Sequence, residues 1–238
     1  MTKYILILFY LLSVCIQCFT QPYEINHDKL YNNDSVLNYE LLVIYPVIKN
    51  PYDDGQASFY VWNKYLINSK IDTFKNVLLE LDSGNLINGQ KSYYEISDSV
   101  FYADERLISV LYYENFYFSG AAHPANSNFS LNYDLKMGKP IQLNDLFYGN
   151  YLNKISEICR NEISKHFGMD KPDEWIIEGT KPTENNYEVF NITKTNITIT
   201  FPTYQVASYV AGSTTVEISY IDIKEYIKQG GILNKFIH

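Results

Sequence analysis

His123 has the strongest case for chemistry in this sequence, because an imidazole titrates near neutral pH and can contact a ligand or relay a proton. It lies between Gly120-Ala121-Ala122 and Pro124, so we expect its ring at a fixed turn near a sheet edge. The functional interpretation is a ligand contact or a proton shuttle. The structural interpretation is a hydrogen-bonded histidine that pins the loop, and the small residues before it favour this because they allow close backbone approach.

A second candidate is the segment from Phe201 to Gly212, which interrupts the strand period and is rich in tyrosine. We expect it to cross over at one end of a sheet and to present Tyr204 or Tyr209. Tyrosine combines an apolar ring with a polar tip, which suits binding surfaces and carbohydrate stacking. The alternative is that these tyrosines close the core beneath the loop. The candidate binding set comprises His123, Pro124, Tyr204, Gln205 and Tyr209.

Patterns typical of metal sites and catalytic centres are missing from the sequence. The four histidines are scattered, and the acidic runs do not follow a calcium-loop pattern. There is no Gly-x-Ser-x-Gly elbow, and Cys159 lies on the apolar stripe of a predicted helix, where a thiol acts as a small hydrophobe. A carboxylate pair for glycoside hydrolysis stays open, but nothing selects one. We therefore predict no cofactor, no metal and a binding module rather than an enzyme.

Two segments carry apolar residues at helical spacing. One runs from Ile67 to Leu81 and is stopped by Gly84, and the other runs from Leu152 to Phe167 and is closed by Gly168. Two shorter helical segments are predicted at 172–177 and 222–229.

Apolar runs and alternating patterns predict the strands, at 41–47, 91–103, 107–119, 129–135, 197–201 and 216–220. Pro46 confines the first of them to an edge or a strand end. Residues 22–35 are predicted as a polar loop, and Asn50–Gln56 as a turn.

Consecutive strands joined by turns indicate antiparallel pairing and an α+β fold. We expect antiparallel sheets packed with the two main amphipathic helices and a short C-terminal helix. The length suits one large domain or two intimately packed subdomains, for which we predict the bounds 21–135 and 136–238.

The first twenty residues predict export. Lys3 supplies a positive charge, Tyr4–Val14 is an unbroken apolar run, and small or weakly polar residues follow up to Thr20. This is the layout of a secretory signal peptide, which we place at residues 1–20. An eleven-residue helix rises only about 16 Å, roughly half of a hydrocarbon core, so a membrane span is the less favoured alternative. We expect the protein in the periplasm, at the cell surface or outside the cell.

The composition of the chain limits the classes of partner that it is expected to bind. The chain has a net charge of −8, which argues against nucleic acid and anionic lipid and favours a cationic partner. Once residues 1–20 are removed, Cys159 is the remaining cysteine, so the fold depends on its core rather than on an internal disulfide. Hydrophobic residues make up 46% of the chain, which is enough for such a core. We expect a monomer.

Several short motifs resemble a known extracellular domain when taken in order. They are Tyr45-Pro46-Val47, Gly120-Ala121-Ala122-His123-Pro124, Asn132-Tyr133-Asp134-Leu135, Leu143-Asn144-Asp145-Leu146-Phe147 and the segment Phe201–Gly212. This ordered set resembles the RsiV/PdaC-type domain, found in an anti-sigma factor and ahead of a peptidoglycan deacetylase domain. The resemblance covers the chain from about Leu41 to about Ile227.

The resemblance implies a PdaC-like N-terminal subdomain and an RsiV-like C-terminal subdomain, with lysozyme or peptidoglycan as candidate ligand. Three residues precede the apolar run, and the chain ends at His238, so we expect the sensor or accessory module alone. The predicted function is a secreted or periplasmic, non-catalytic binding module of the cell envelope. A cell-wall glycan hydrolase or esterase and a structural envelope protein are the alternatives.

Overall fold

The computed structural model of the chain describes residues 23–81 and 90–237. The predicted signal peptide and Gly84 lie outside the described residues. The strands are β1 (Ile25–Asp34), β2 (Tyr39–Ile48), β3 (Ser92–Ala103), β4 (Leu107–Tyr117), β5 (Ala125–Asp134), β6 (Lys139–Pro140), β7 (Phe190–Ile192), β8 (Asn196–Phe201) and β9 (Thr214–Ser219). The helices are α1 (Asp54–Glu80), α2 (Leu143–Leu146), α3 (Tyr151–His166) and α4 (Glu174–Gly179).

The fold is α+β, as predicted, and the described residues form two sheets. The larger sheet has the strand order β1-β2-β3-β4-β5-β6, and the smaller has the order β7-β8-β9. All neighbours pair antiparallel except β2 and β3, which are parallel because α1 carries the chain back between them. Within the described ranges, none of the helices combines the length and the hydrophobicity that a membrane crossing requires.

Helix α1 begins well before the apolar pattern that predicted it. Asp53 caps its first turn, where the Oδ1 atom accepts a hydrogen bond from the Gln56 N–H at 2.8 Å. Its buried face includes polar side chains, among them Asn63, which donates to the Pro46 carbonyl at 2.8 Å and accepts from the Tyr112 hydroxyl at 2.5 Å. The predicted turn at Asn50–Gln56 therefore ends inside the helix.

Strand β1 corrects the prediction of a polar loop at residues 22–35. It pairs with β2 along its full length, from Ile25 opposite Ile48 to Asp34 opposite Tyr39. Almost every β1 residue is exposed, so the strand has no apolar alternation from which to predict it. In β2, Pro46 lies beyond the last residue that pairs with β3, where a missing N–H costs no bond on that side.

Apolar side chains form two cores. The first lies between α1 and the larger sheet, and the second surrounds α3 and the smaller sheet. Strand β4 takes part in both, because Ile108, Val110 and Tyr112 belong to the first core and Leu107 belongs to the second. The predicted division at residues 135 and 136 stays a prediction.

Buried hydrogen bonds link β4 and β5 to β7. The Ser109 hydroxyl donates to Asn132 Oδ1 at 2.6 Å and accepts from Asn191 Nδ2 at 3.0 Å. Asn132 Nδ2 donates to the Phe190 carbonyl at 2.7 Å. Since these groups are buried, the bonds fix how the two sheets meet.

The C-terminal segment is less regular than predicted. In place of an α-helix at 222–229, it forms 3-10 turns at Lys224–Tyr226 and Ile232–Phe236. An isolated bridge between Phe147 and Ile227 ties the segment to the end of α2.

Candidate functional site

Two loops meet at one end of the molecule and bring the predicted residues together. The first loop joins β4 to β5 and carries His123, and the second joins β8 to β9 and carries Tyr204 and Tyr209. The His123 and Tyr209 ring centroids are 4.5 Å apart, and those of Tyr204 and Tyr209 are 5.7 Å apart. With Trp175 of α4, these three residues form what we term the exposed aromatic cluster.

Hydrogen bonds join the two loops. The Tyr209 hydroxyl donates to the Pro124 carbonyl at 3.0 Å, and the Thr203 hydroxyl donates at 2.5 Å to Oδ1 of Asn126, which follows the first loop at the start of β5. His123 Nδ1 lies 2.7 Å from the Pro124 carbonyl oxygen, which can only accept, so this contact requires a proton on Nδ1. The loops therefore hold each other and present their rings as one surface.

Tyr204 is the most prominent member of the exposed aromatic cluster. Its side chain is 53% exposed, and its backbone adopts φ +74°, a left-handed conformation that is unfavourable for a residue with a Cβ. The Trp175 indole N–H donates to its carbonyl at 2.7 Å. Strain that the surroundings hold in place is typical of functional segments.

Gln205 points inward and holds the loop. Its Nε2 atom donates to the Gly179 carbonyl at 3.0 Å and to the Asn186 carbonyl at 2.9 Å. The backbone of Gly179 lies so close that a Cβ built there would be 2.1 Å from the Gln205 carbonyl oxygen. Of the five predicted residues, Gln205 is therefore the one we assign to positioning rather than to contact.

Sequence reasoning missed Trp175. The residue lies 29 positions before Tyr204, and only the folded chain shows that the two are in contact. The available signal was a tryptophan in a polar stretch, directly after Asp173 and Glu174, in a chain that has two tryptophans. At 42% exposure, its ring lies at the surface next to the Tyr204 backbone.

The exposed aromatic cluster suits contact better than reaction. Among the described residues, the ring neighbours of His123 are Tyr209 and the Pro124 carbonyl, not a carboxylate that would orient it as a base. Cys159 is fully buried, and burial raises the pKa of its thiol, so it is a poor nucleophile. Within residues 23–81 and 90–237, no three histidine, cysteine, aspartate or glutamate side chains are grouped as metal ligands would be.

Residues 144–221 match the model of a family described as "Protein of unknown function (DUF3298)". The chain is also 25% identical over 202 residues to the peptidoglycan-N-acetylmuramic acid deacetylase PdaC of Bacillus subtilis (strain 168), a match that covers 84% of this chain and 41% of that protein. The resemblance to the PdaC-type domain is thereby confirmed. The chain spans less than half the length of that relative.

Two solved structures share the fold. A DUF3298 family member from Bacteroides fragilis NCTC 9343 superposes with a TM-score of 0.67 at 18% identity, covering 92% of this chain and 98% of that one. A DUF3298 family protein from Pseudomonas aeruginosa PAO1 superposes with a TM-score of 0.58 at 13% identity, covering 88% and 96%. Both neighbours are matched over almost their whole length, so the two-sheet architecture is common to all three chains.

Proposed function

We propose that this protein is an exported, non-catalytic binding module of the cell envelope whose exposed aromatic cluster contacts a cationic protein such as lysozyme. The observation that carries the proposal is the pairing of two loops that hold His123, Tyr204 and Tyr209 in contact at the surface. Large, partly exposed aromatic side chains on pre-ordered loops are typical anchors of protein interfaces.

Charge supports a basic partner. The net charge is −8, and opposite charge accelerates the encounter between two proteins. The similarity to a peptidoglycan deacetylase supports a role at the cell wall, where lysozyme acts and where wall fragments are competing ligands. The unreactive surroundings of His123 and Cys159 support binding without turnover.

Isothermal titration against lysozyme tests the proposal. We expect the wild-type protein to bind and Tyr204→Ala to weaken the affinity about tenfold or more, because this substitution removes an interface anchor. Tyr148→Ala is the matched control, since Tyr148 is similarly exposed at 51% and lies outside the exposed aromatic cluster.

The same titrations with peptidoglycan fragments give the competing outcomes. Binding of a fragment without binding of lysozyme would contradict the assigned partner, and no heat with either ligand would contradict the binding function. Turnover of a muropeptide would contradict the non-catalytic assignment and would support the hydrolase alternative.

A further inference from the structure

A groove separate from the exposed aromatic cluster runs between α1 and the segment that precedes β7. It consists of two adjoining cavities of about 270 Å³ and about 200 Å³, whose linings share Gln142, Glu188 and Phe190. Together they match the size of small-ligand sites, roughly 300–1,000 Å³.

Helix α1 supplies an aromatic wall to this groove. Trp62 and Tyr65 lie about one turn apart, and their ring centroids are 6.0 Å apart in an edge-to-face arrangement. They are 42% and 67% exposed, while α1 buries its opposite face in the first core. Exposed flat rings beside a cavity offer a stacking surface to the apolar face of a sugar.

The floor of the groove is fixed before any ligand arrives. Asn132 and Phe190 are buried there, joined by the bond from Asn132 Nδ2 to the Phe190 carbonyl, and Asn132 Oδ1 is occupied by Ser109. Leu131 and Ile141 add buried apolar surface to the same floor. A preformed site loses less conformational entropy on binding than a site that must be ordered.

The wall opposite α1 is acidic. Glu188 and Glu184 are exposed, and among the described residues neither lining includes a lysine or arginine. Glu184 accepts a long hydrogen bond from the Tyr151 hydroxyl at 3.3 Å, and Glu188 has no side-chain hydrogen bond or ion pair within the described part of the chain. Carboxylates without a counter-charge favour a ligand that carries a positive one.

The geometry points to a glycan-binding groove that takes a short oligosaccharide with free amino groups. Sugar rings stack on Trp62 and Tyr65, an ammonium group meets Glu188, and the ring hydroxyls face Gln142. A lone lysine side chain would need one ring and one carboxylate, whereas two neighbouring rings, an amide and an extended floor fit a chain of sugars. This site goes beyond the binding of a protein partner and uses none of the residues assigned to that role.

Titration calorimetry of the whole protein with the glucosamine trimer and the N-acetylglucosamine trimer tests this inference, because the two probes differ in their charged amines. We expect the glucosamine trimer to bind with an affinity at least about fivefold higher than that of the acetylated trimer. Added salt should reduce this difference. Equal affinity for both trimers, or no heat with either, would overturn the proposal. So would binding of trilysine in the absence of binding by the glucosamine trimer.

Variants locate the site. We expect Trp62→Ala to weaken binding of the glucosamine trimer about tenfold and Glu188→Gln about fivefold. Tyr31→Ala and Glu80→Gln are the matched controls, because both residues are exposed and lie outside the groove. Control variants that weaken binding as much as Trp62→Ala and Glu188→Gln would overturn the location. Lysozyme affinity should be unchanged in all four, so failure here is distinguishable from failure of the proposed partner.

Discussion

Asp98 and Asp104 are both largely withdrawn from solvent, yet their carboxyl groups respond in opposite directions. Burial raises the pKa of Asp98, and the hydrogen bond from His27 at 3.1 Å offsets only part of that effect. Burial also acts to raise the pKa of Asp104, but hydrogen bonds from Lys235, Tyr102 and the Arg106 N–H outweigh it and lower the pKa. The number of hydrogen-bond donors around each carboxyl group therefore decides whether its pKa is raised or lowered.

Asp104→Asn is expected to lower the free energy of unfolding by about 1–2 kcal/mol at neutral pH, because the charge-assisted hydrogen bonds at the β3–β4 turn are weakened. A lowered folded-state pKa stabilises the protein above the ordinary value of 3.8, and this stabilisation is lost as the pH falls through the lowered value. The difference from wild type should therefore shrink in acid. Urea unfolding at neutral pH and at about pH 2.5 measures it.

The neighbouring Glu105→Gln is the control, because Glu105 is exposed and should change stability little. An Asp104→Asn protein as stable as wild type at neutral pH would contradict the assignment.

Asp98→Asn is expected to act in the opposite direction and to raise the free energy of unfolding by about 1 kcal/mol at neutral pH, because it removes a desolvated charge. The Asp98 side chain is 2% exposed, and its Oδ1 atom has no hydrogen-bond partner among the described residues. Because the folded-state pKa of Asp98 is raised, the contribution of this group to stability is greatest below pH 3.8. That contribution is lost as the pH rises through the raised value. A lower urea midpoint for Asp98→Asn at neutral pH would show that the bond to His27 matters more than the desolvation.

At the scale of elements, the sequence predicted the helices and strands whose apolar residues recur at a regular spacing. Helix α3 and strand β9 bury one face each, strand β8 is buried along almost its whole length, and all three lie close to the predicted bounds. The start of α1 was missed because Gln56 and Asn63 occupy buried positions as polar residues, and β1 was missed because both its faces are exposed. β7 has three residues, too few to show a period.

The candidate site was predicted by residue type and only partly by position. His123, Tyr204 and Tyr209 stood out as rings in segments rich in small or turn-forming residues, and the structure places them in contact. Trp175 and the inward direction of Gln205 depend on how α4 packs under the loop, which no local pattern encodes. The groove beside Trp62 joins α1 to the segment before β7, so it too arises from tertiary packing.

Gly179→Ala tests the support that α4 gives to the Tyr204 loop. The new Cβ would lie 2.1 Å from the Gln205 carbonyl oxygen and 2.8 Å from Val206 Cγ1, so the loop must move. We expect a loss of about 1–3 kcal/mol in the free energy of unfolding and a weaker affinity for lysozyme. Chemical denaturation and titration calorimetry measure the two effects.

Gly149→Ala is the matched control for that substitution. Gly149 has φ +67° with nothing within 4 Å of a built Cβ, so the change adds backbone strain of about 1 kcal/mol without touching the site. Its lysozyme affinity should equal that of wild type. If Gly179→Ala also left the lysozyme affinity unchanged, the close contact between α4 and the loop would not position Tyr204.

At the scale of the whole molecule, the two cores share strand β4. Alternate residues of β4 face in opposite directions, so Ile108 and Val110 pack in the first core while Leu107 packs in the second. The buried bonds of Ser109 to Asn132 and Asn191 cross the same junction. We therefore expect neither half to keep its packing if the other unfolds.

The two tryptophans report on the two halves separately, since Trp62 lies on α1 and Trp175 on α4. We expect Trp62→Phe and Trp175→Phe, each with one remaining tryptophan as the reporter, to unfold in urea with coincident midpoints, because shared packing makes the transition cooperative. Circular dichroism of each variant corrects for any change in stability. Midpoints that stay apart after this correction would mean two independently stable subdomains.

Hydrogen exchange of the protein with and without bound lysozyme tests the central claim most directly, because it maps where a partner protects the backbone. We predict that lysozyme slows exchange together in the loop between β4 and β5 and in the loop between β8 and β9, while β1 and the end of α3 are unchanged. Protection confined to other segments, or no protection at saturating lysozyme, would contradict the account.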